Sequence, residues 1–437
     1  MFETLRNALK VKDIRKRFLF TLFILLICRF GSQFPIPGIN SEQIGRYLDS
    51  LLGDSFNLLN SFTGGSFTSM SLFALNVTPY ITASIIIQLL TIAIPALEEM
   101  QRDGEDGRKK MNNITRFVTL GLSALEGTGM AIGFGRSGLL TDYNALTIVE
   151  MVVCLTAGSV FIMWLGEQIT EKGIGNGISI ILLVNIVSRM PSDFYALYQQ
   201  FVQGKHIGGI VIAVAVILFV IIGTITLTVM LNDAERRIPV QYSRKLQGRN
   251  QMGGQASVLP IKVNTANVIP VIFASSLLQF PIVIKQLMGV NPTGIGGRIL
   301  DAMSQSKWCN PDDPVLSIGL LVYLLLIILF AYFYTSITFN PMEIANNMKK
   351  QGGFIPGIRP GKPTIEYLTR ILNNVIFIGA VGLCIIAVIP IFFNGYFGAN
   401  VSFGGTSIII ISGVVLETIK QIESQMLVRH YSGFLSE

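Results

Sequence analysis

The segment Asn60–Leu90, NSFTGGSFTSMSLFALNVTPYITASIIIQLL, joins a half-polar stretch to a strongly apolar one. The apolar run Ile81–Leu97 is long enough to belong to a membrane-spanning helix. The preceding stretch, Asn60–Tyr80, mixes Ser, Thr and Gly with large apolar side chains, so it is too polar for lipid and too apolar for an ordinary loop. Backbone outside a spanning helix is tolerated at membrane depth only inside protein or beside water. We therefore predict that Asn60–Tyr80 is a re-entrant segment enclosed by spanning helices.

The composition of the whole chain is that of a membrane protein. Hydrophobic residues make up 51% of its 437 residues and charged residues 14%, whereas soluble domains carry about 25% charged residues. Mostly apolar stretches of about 17 to 25 residues, the length that crosses the hydrocarbon core, recur along the chain. These features exclude a soluble helical domain. They predict ten membrane spans, at about 18–34, 76–97, 115–135, 146–166, 174–190, 208–231, 266–288, 315–338, 370–392 and 404–424.

Lysine and arginine are unevenly distributed over the segments between these spans. They cluster after the even-numbered spans, as at Arg108–Lys110, and are scarce after the odd-numbered ones. Cytoplasmic loops carry such an excess, so we predict a multi-pass protein of the cell membrane with both termini in the cytoplasm. Two cytoplasmic loops are long, at about 232–265 and 340–364. The second contains QGGFIPGIRPGKPT, whose glycines and prolines favour a defined turn over a helix.

Several features argue against catalysis and cofactor binding. The glycine-rich string EKGIGNGIS, Glu171–Ser179, has the look of a phosphate-binding loop, but it lies between two apolar spans and not after a strand. We therefore interpret it as a tight turn between helices. His206 and His430 are the only histidines in the sequence, so neither a histidine metal site nor a Ser/His/Asp arrangement is expected. The chain is predicted to be neither an enzyme nor a cofactor-binding protein.

Charged residues inside the predicted spans are scarce. Glu126 in the third span is the clearest example, whereas pumps and ion-coupled transporters usually carry several. Its carboxyl is equally compatible with a functional role and with a structural contact. Apolar side chains recur at i,i+4 spacing in two spans, Ile81 with Ile85 and Leu182 with Ile186. On spacing alone these pairs indicate ordinary packing in a helix bundle.

Five strings of the sequence occur in the order and at the spacing found in one known family. They are PYITASIIIQLL (Pro79–Leu90), EKGIGNGISII (Glu171–Ile181), IPVIFASSLL (Ile269–Leu278), FIPGIRPGKPT (Phe354–Thr364) and FGGTSIII (Phe403–Ile410). On these strings the chain resembles the SecY family, the channel subunits of the protein-conducting translocon. The resemblance implies an all-α membrane protein whose ten transmembrane helices form two inverted, pseudo-symmetric halves around an hourglass pore. The halves would be 1–190 and 208–437, joined by an external hinge loop at 191–207.

The resemblance also implies which residues close the pore. The waist would be a ring of aliphatic side chains from four spans, in which Leu182 stands where isoleucine is expected. A re-entrant plug helix at about 60–71 would fill the outer funnel, with its apolar side chains packed loosely beneath the ring. The implied ring residues are Ile81, Ile85, Leu182, Ile186, Ile272 and Ile410, and the implied plug residues are Asn60, Phe62, Gly64, Gly65, Phe67 and Leu72.

A lateral gate toward lipid is implied between spans two and three on one side and spans seven and eight on the other. Polar side chains would meet across this gate. Hydrophobic segments of a polypeptide would leave the pore there, because each Leu or Ile favours the membrane by about 0.3–0.6 kcal/mol. The implied gate residues are Gln88, Glu126, Ser275, Ser276 and Gln279.

The partners that the resemblance implies act mainly on the two long loops. The SecA ATPase or a translating ribosome would dock there and supply energy, since the sequence contains no nucleotide-binding loop. Basic side chains would meet their carboxylates or RNA phosphates. SecE and SecG are expected as further subunits, and the substrates would be signal sequences and nascent or unfolded polypeptides, with membrane lipids at the gate. The implied docking residues are Arg236, Arg237, Arg244, Lys245, Arg359 and Lys362.

We therefore expect a passive, gated polypeptide channel. Two alternatives stay open. A secondary transporter of small solutes also uses inverted repeats and broken helices, but it needs a polar substrate site in place of an aliphatic ring. A non-conducting scaffold that recruits ribosomes would not contact a translocating chain at the ring.

Overall fold

A computed structural model describes residues 10–37, 39, 63–136, 138–140, 142–201, 203, 207–242, 246–247, 250–251, 256–288, 294–305, 308–309, 314–397 and 405–433. Helices dominate these residues. They are α1 Lys12–Gly31, α2 Thr78–Ala93, α3 Pro95–Arg102, α4 Gly104–Arg136, α5 Ala145–Lys172, α6 Gly177–Phe201, α7 Ile207–Asp233, α8 Ile269–Met288, α9 Ile295–Met303, α10 Ile318–Thr338, α11 Pro341–Lys350, α12 Lys362–Phe397 and α13 Gly405–Gly433. The strands are β1 Glu235–Tyr242, β2 Leu246–Gln247, β3 Asn250–Gln251, β4 Ala256–Lys262 and β5 Gly353–Phe354.

A helix lies at each of the ten predicted spans. Within the described residues, six helices are long and apolar enough to cross a membrane, namely α4, α5, α6, α7, α10 and α12. The bent pair of α2 and α3 is a seventh candidate. The remaining predicted spans coincide with α1, α8 and α13. The chain is a multi-pass helical membrane protein.

The spanning helices differ in how much of their apolar surface is covered. Within an apolar 18-residue stretch of each helix, 11% of the residues are buried in α7 (Val214–Asp233), against 44% in α12 (Lys362–Phe392). Phe219 of α7 is 79% exposed. Large apolar side chains exposed over a whole helix mark a surface that meets something other than water, so α7 lies at the lipid-facing periphery, whereas α12 is more enclosed by its neighbours.

Two of the predicted boundaries are wrong. The second span, predicted to reach residue 97, ends at Ala93, and α3 leaves it at an angle of 106°. Pro95 lacks an N–H donor and keeps Ile94 extended, which stops the helix. The hinge loop predicted at 191–207 begins as a helix, because α6 continues through Pro191 to Phe201. Its role as a hinge stays a prediction.

The two long loops join in one small antiparallel sheet, which was not predicted. Strand β1 pairs with β4 of the same loop, and its end pairs with β5 of the other loop, Gln241 with Phe354 and Tyr242 with Gly353. Alternation along β1 buries Ile238 and Val240, whereas the side chains between them face outward. The predicted second loop also contains α11 and the start of α12. The two loops therefore form one folded layer with a shared apolar core.

The glycine-rich string EKGIGNGIS is a tight turn between helices, as predicted. Gly175 adopts a φ of 78° between α5 and α6. A Cβ at Gly177 would overlap the carbonyl oxygen of Gly166, so glycine permits the two helices to cross closely. The Gly177 amide donates to Thr170 Oγ1 over 2.9 Å. The backbone of this string therefore takes part in the close packing of α5 against α6.

We expect Gly158→Ala in α5 to destabilise the protein. An added Cβ would overlap the carbonyl oxygen of Leu72 and lie 3.3 Å from a ring carbon of Phe73, in a segment that is almost fully buried. Overpacking of this kind costs about 1–3 kcal/mol. The measurement is thermal unfolding of the purified protein in detergent. Gly121→Ala in α4, where a Cβ meets nothing within 4 Å, is the matched control and should unfold at or slightly above the wild-type temperature. Equal unfolding temperatures for both variants would contradict this packing.

Candidate functional site

The six predicted ring residues belong to one hydrophobic cluster. Leu182, Ile186 and Ile410 are buried members of this cluster, and the other three are partly buried and pack against it. The side chains come from α2, α6, α8 and α13. Leucine at position 182, where isoleucine was expected, also fits into the cluster, because its side chain is buried and only 7% exposed. Four helices from distant parts of the sequence thus contribute to one apolar cluster.

Close packing at the start of α8 brings two ring helices together. A Cβ at Gly413 of α13 would lie 2.7 Å from Oδ1 of Asn267, in the turn that precedes α8. Glycine therefore lets α13 approach this turn. Ile410 of α13 and Ile272 of α8 consequently contact the same cavity.

A cavity of about 360 Å³ adjoins this apolar cluster. Its apolar lining includes Leu182, Ile272 and Ile410, together with Ala266, Val268, Ile269, Val414 and Leu416. The rest of the wall is largely polar and includes Asn176, Ser179, Asn232, Lys262, Asn264, Thr265, Asn267, Glu417 and Lys420. The cavity therefore has one polar wall and one aliphatic wall, and the aliphatic wall includes three of the predicted ring residues. We call it the polar chamber.

Two contacts brace the polar chamber. Asn264 donates from Nδ2 to Oδ1 of Asn232 over 2.7 Å. Lys420 Nζ of α13 pairs with Asp233 Oδ1 at the end of α7 over 2.8 Å. The ion pair is exposed, and such pairs contribute about 0–1 kcal/mol. The asparagine pair is partly buried and fixes the start of α8 against α7.

Apart from Thr63, the described part of the predicted plug is a series of turns and not a helix. Thr63 is helical, but Gly64–Met70 forms consecutive turns. Gly64 and Gly65 have φ values of 65° and 87°, which a right-handed helix cannot contain. Oγ1 of Thr68 donates to the Gly65 carbonyl over 3.0 Å and closes one turn. Asn60 and Phe62 lie outside the described residues.

The plug is packed tightly, which contradicts the prediction of loose packing beneath the ring. Thr63, Met70 and Ser71 are each 0% exposed. Phe67 packs in a second cluster with side chains of α4 and α5, including Met130, Phe134, Met151 and Leu155, and not under the ring. Leu72 does pack against the ring cluster. The two apolar side chains therefore face different neighbours, which composition alone did not reveal.

Helix α6 contacts the chamber, the ring cluster and the plug through different residues along its length. Asn176, directly before the helix, and Ser179 in its first turn line the chamber, and Leu182 and Ile186 belong to the ring cluster. Asn185, which lies between these two ring residues, is beside Gly64: a Cβ at Gly64 would be 3.1 Å from the Cα of Asn185. About one turn further along, Arg189 lies 3.6 Å from a Cβ at Gly65. Because a helix rises about 1.5 Å per residue, the chamber lies at the start of α6, and the plug lies at the level of Ile186 and just beyond it.

Polar groups outside the predicted plug residues hold this segment. Arg29 donates from Nη1 to the Gly64 carbonyl over 3.2 Å. Asn76 Nδ2 donates to the Thr63 carbonyl over 3.4 Å, and Ser159 Oγ donates to the Asn76 carbonyl over 3.1 Å. Sequence reasoning missed all three. The one feature of the sequence that could have indicated these contacts is Arg29, because it interrupts the apolar run of the first predicted span.

The helices of the predicted lateral gate are in contact, but among the side chains that the structure describes, the polar gate residues do not pair with each other across it. Helix α8 packs against α4 and α10. Gln88 Nε2 is 3.5 Å from Ser84 Oγ, and Ser275 Oγ donates to the Ile272 carbonyl over 2.9 Å, each within its own helix. Glu126 has no hydrogen bond or ion pair with any residue that the structure describes. Hydroxyls inside helices commonly bond to a carbonyl of the preceding turn. Ser276 is partly buried, and the side chain of Gln279 lies outside the described part.

The predicted docking residues that the structure describes are exposed. Arg236 and Arg237 project from β1, and Arg237 Nε pairs with Glu235 Oε1 over 2.7 Å. Lys362 begins α12 with its side chain exposed. Arg359 is exposed in the turn between β5 and α12. Arg244 and Lys245 lie outside the described residues.

The turn that carries Arg359 is built rigidly. Gly357 and Gly361 adopt φ values of 83° and 110°, which favour glycine. Thr364 Oγ1 donates to the Arg359 carbonyl over 2.9 Å. Ile355 is 3% exposed and anchors the start of the turn in the core that β1, α11 and α12 share. The guanidinium is thus presented outward on a fixed backbone, as the sequence predicted.

Comparison with known proteins gives close relatives. A family model described as SecY matches residues 71–419. The protein translocase subunit SecY of Streptomyces galbus is 43% identical over 451 residues, with 100% of both chains covered. That of Halalkalibacterium halodurans is 41% identical, again over 100% of both chains.

Solved structures share the fold. One describes how the plug domain of a SecY protein stabilises the closed state of the translocation channel and maintains a membrane seal; it matches with a TM-score of 0.67 at 19% identity, covering 95% of this chain and 93% of that chain. Sec61 in the canine ribosome–channel complex from the endoplasmic reticulum matches with a TM-score of 0.63 at 18% identity, again covering 95% and 93%.

Proposed function

Because this chain belongs to the SecY family of protein translocase subunits, we propose that it is the central channel through which unfolded polypeptides cross the cell membrane. The observation that supports this proposal is that six aliphatic side chains from four helices belong to one apolar cluster, three of them at the polar chamber, with Leu72 of the plug packed against the same cluster. Both termini would lie in the cytoplasm, with the polar chamber opening to that side. The two halves, 1–190 and 208–437, would move about the segment between α6 and α7.

In this proposal, the constriction blocks the passage of ions because its lining is apolar. A narrow passage lined by Ile and Leu loses its water, and ions cannot follow without their hydration shells. Aliphatic side chains also adapt to chains of different shape without binding any of them tightly. A polar filter would instead select one ion or solute, so this lining supports a polypeptide channel over a solute transporter.

The plug completes the seal as a two-state element. In the related SecY protein the plug domain stabilises the closed state, and we assign the same role to the turns at 63–71. Opening must break the hydrogen bonds to Gly64 and Thr63 and expose Phe67 and Met70. The closed state is therefore favoured by defined contacts, and a bound polypeptide shifts the equilibrium by binding only the open one.

The lateral gate would open where α4 meets α8. Since Gln88 and Ser275 bond within their own helices, separating α4 from α8 breaks neither of these hydrogen bonds. A segment in the pore could then sample lipid. Arg, Lys or Asp at its centre costs about 2.5–3.5 kcal/mol, so composition alone would sort secreted from integrated segments.

The folded layer of β1, β4, β5 and α11 is proposed as the docking surface. Canine Sec61, of the same fold, is described in a ribosome–channel complex. Exposed Arg236 and Arg359 are suited to RNA phosphates or carboxylates of a motor ATPase. A translating ribosome or SecA would supply the energy, and SecE and SecG would complete the complex.

A stalled preprotein should crosslink to the constriction. We expect photo-crosslinkers placed at Ile85 or Ile272, both partly buried in the ring cluster, to react with a chain arrested during transport. The same probe at Phe219, 79% exposed on α7, is the control and should not react with an arrested hydrophilic chain. If the precursor stays bound to the complex while neither ring probe reacts, the protein is a scaffold and the channel proposal fails.

A further inference from the structure

We propose that Arg29, at the end of α1, is a positioning residue that latches the plug in its closed place through the Gly64 carbonyl. The proposal rests on the proposed channel function and names a residue that sets the resting state of that channel. Arg29 belongs to none of the pore, plug, gate or docking sets predicted from the sequence.

The contact is direct and closely fitted. Arg29 Nη1 lies 3.2 Å from the Gly64 oxygen. A Cβ at Gly64 would be 2.9 Å from the same Nη1 and 3.1 Å from the Cα of Asn185 in α6. Gly64 also has a φ of 65°, a conformation that glycine adopts without strain. The plug backbone is therefore held between an arginine of α1 and the backbone of α6.

A second arginine borders the same turn. A Cβ at Gly65 would lie 3.6 Å from both Cδ and Nη1 of Arg189, on α6. Cations within membrane-spanning helices are costly and usually functional. Arg29 and Arg189 lie on different helices and border the two neighbouring glycines of the plug. This arrangement is a cradle shaped for the plug backbone.

The type of bond suits a latch. A hydrogen bond from a guanidinium to a carbonyl is charge-assisted and stronger than one between neutral groups. It recognises the backbone, so it does not depend on the plug side chains. When the plug leaves, water in the open funnel can replace the carbonyl, and the bond re-forms on closure. The helix end itself is fixed independently, because Ser32 Oγ donates to the Arg29 carbonyl over 2.7 Å.

The test is the resting conductance of the purified translocase complex in planar bilayers without substrate. Arg29→Met should raise the resting open fraction at least tenfold, whereas Arg29→Lys, which keeps a cationic donor, should restore most of the seal. Arg136→Met is the matched control. Arg136 is exposed at the end of α4, and the bridge between Ile39 and Leu140 places the ends of α1 and α4 at the same face. This control removes a charge without touching the plug.

Further measurements separate a latch from a general structural role. Thermal unfolding of Arg29→Met should stay close to wild type while the leak appears. Gly64→Ala disturbs the same contact from the plug side and should leak as well; it decides the matter if Arg29→Met does not fold. A resting conductance of Arg29→Met equal to wild type, or equal leaks from Arg29→Met and Arg136→Met, overturns the latch.

Deletion of 60–71 distinguishes the two proposals. If the deletion leaks and Arg29→Met and Gly64→Ala do not, only the latch fails. If none of the three leaks, the channel function fails with it.

Discussion

Replacing Ile186 with asparagine should make the resting channel permeable to ions. Ile186 is 2% exposed, in α6, and belongs to the large apolar cluster that includes all six ring side chains. An amide at this position offers hydrogen bonds to water inside the constriction and removes the cause of dewetting. We expect the resting ion flux through reconstituted complexes to rise at least tenfold, measured as dissipation of an ion gradient in vesicles.

A control variant, Ile186→Val, distinguishes the effect of a polar side chain from the effect of a change in side-chain size. Ile186→Val deletes one methylene and costs about 0.5–1.5 kcal/mol of stability, but it leaves the constriction apolar and should stay sealed. The asparagine variant must also be shown to fold, because burying an amide without partners costs about 1–3 kcal/mol. A folded asparagine variant that remains as tight as the valine variant would mean that the seal lies elsewhere, for example in the plug alone.

The ring illustrates what could be predicted from sequence. The pairs Ile81 with Ile85 and Leu182 with Ile186 are visible as i,i+4 spacing, but that spacing also fits ordinary packing. Resemblance to the SecY family selected these pairs among many. Spacing within one helix cannot show that four helices meet, because convergence depends on contacts such as Gly413 with Asn267, far apart in the chain.

The folded layer of the long loops was missed for a similar reason. Outward and inward residues alternate around Ile238 and Val240, which is the pattern of a half-buried strand. The partners of β1 are β4 in the same loop and β5 more than a hundred residues later. A two-residue strand such as Gly353–Phe354 carries no periodicity of its own. Its pairing becomes apparent only when both loops are folded together.

The plug shows the limit of composition. Ser, Thr, Gly and Phe in Asn60–Tyr80 correctly predict a segment that belongs neither to lipid nor to a surface loop. Composition does not tell turns from a short helix, because the left-handed conformations of Gly64 and Gly65 are imposed by their neighbours. The neighbours are Arg29, 35 residues upstream, and α6, more than a hundred residues downstream.

Arg359→Glu should abolish motor-driven transport without opening the resting channel. The side chain is exposed, and its turn is fixed by Gly357, Gly361 and the hydrogen bond from Thr364. A planar guanidinium on a fixed backbone can bind a partner carboxylate through two parallel hydrogen bonds. Reversing the charge removes these bonds and adds repulsion. We expect at least a tenfold loss of ATP-dependent protection of a preprotein inside SecA-containing proteoliposomes, with the ion seal unchanged.

Two matched variants decide whether this effect is specific to Arg359 or a general effect of charge. Lys362→Glu makes the same change in charge three residues away, on a side chain that is also exposed. If docking depended only on long-range electrostatic attraction, both substitutions would reduce transport equally. Arg359→Lys keeps the charge but loses the planar fork, and it should transport measurably less than wild type. If Lys362→Glu is as defective as Arg359→Glu while Arg359→Lys is fully active, charge alone accounts for docking. The rigid turn would then present a charge to the motor, with no need for a defined guanidinium geometry.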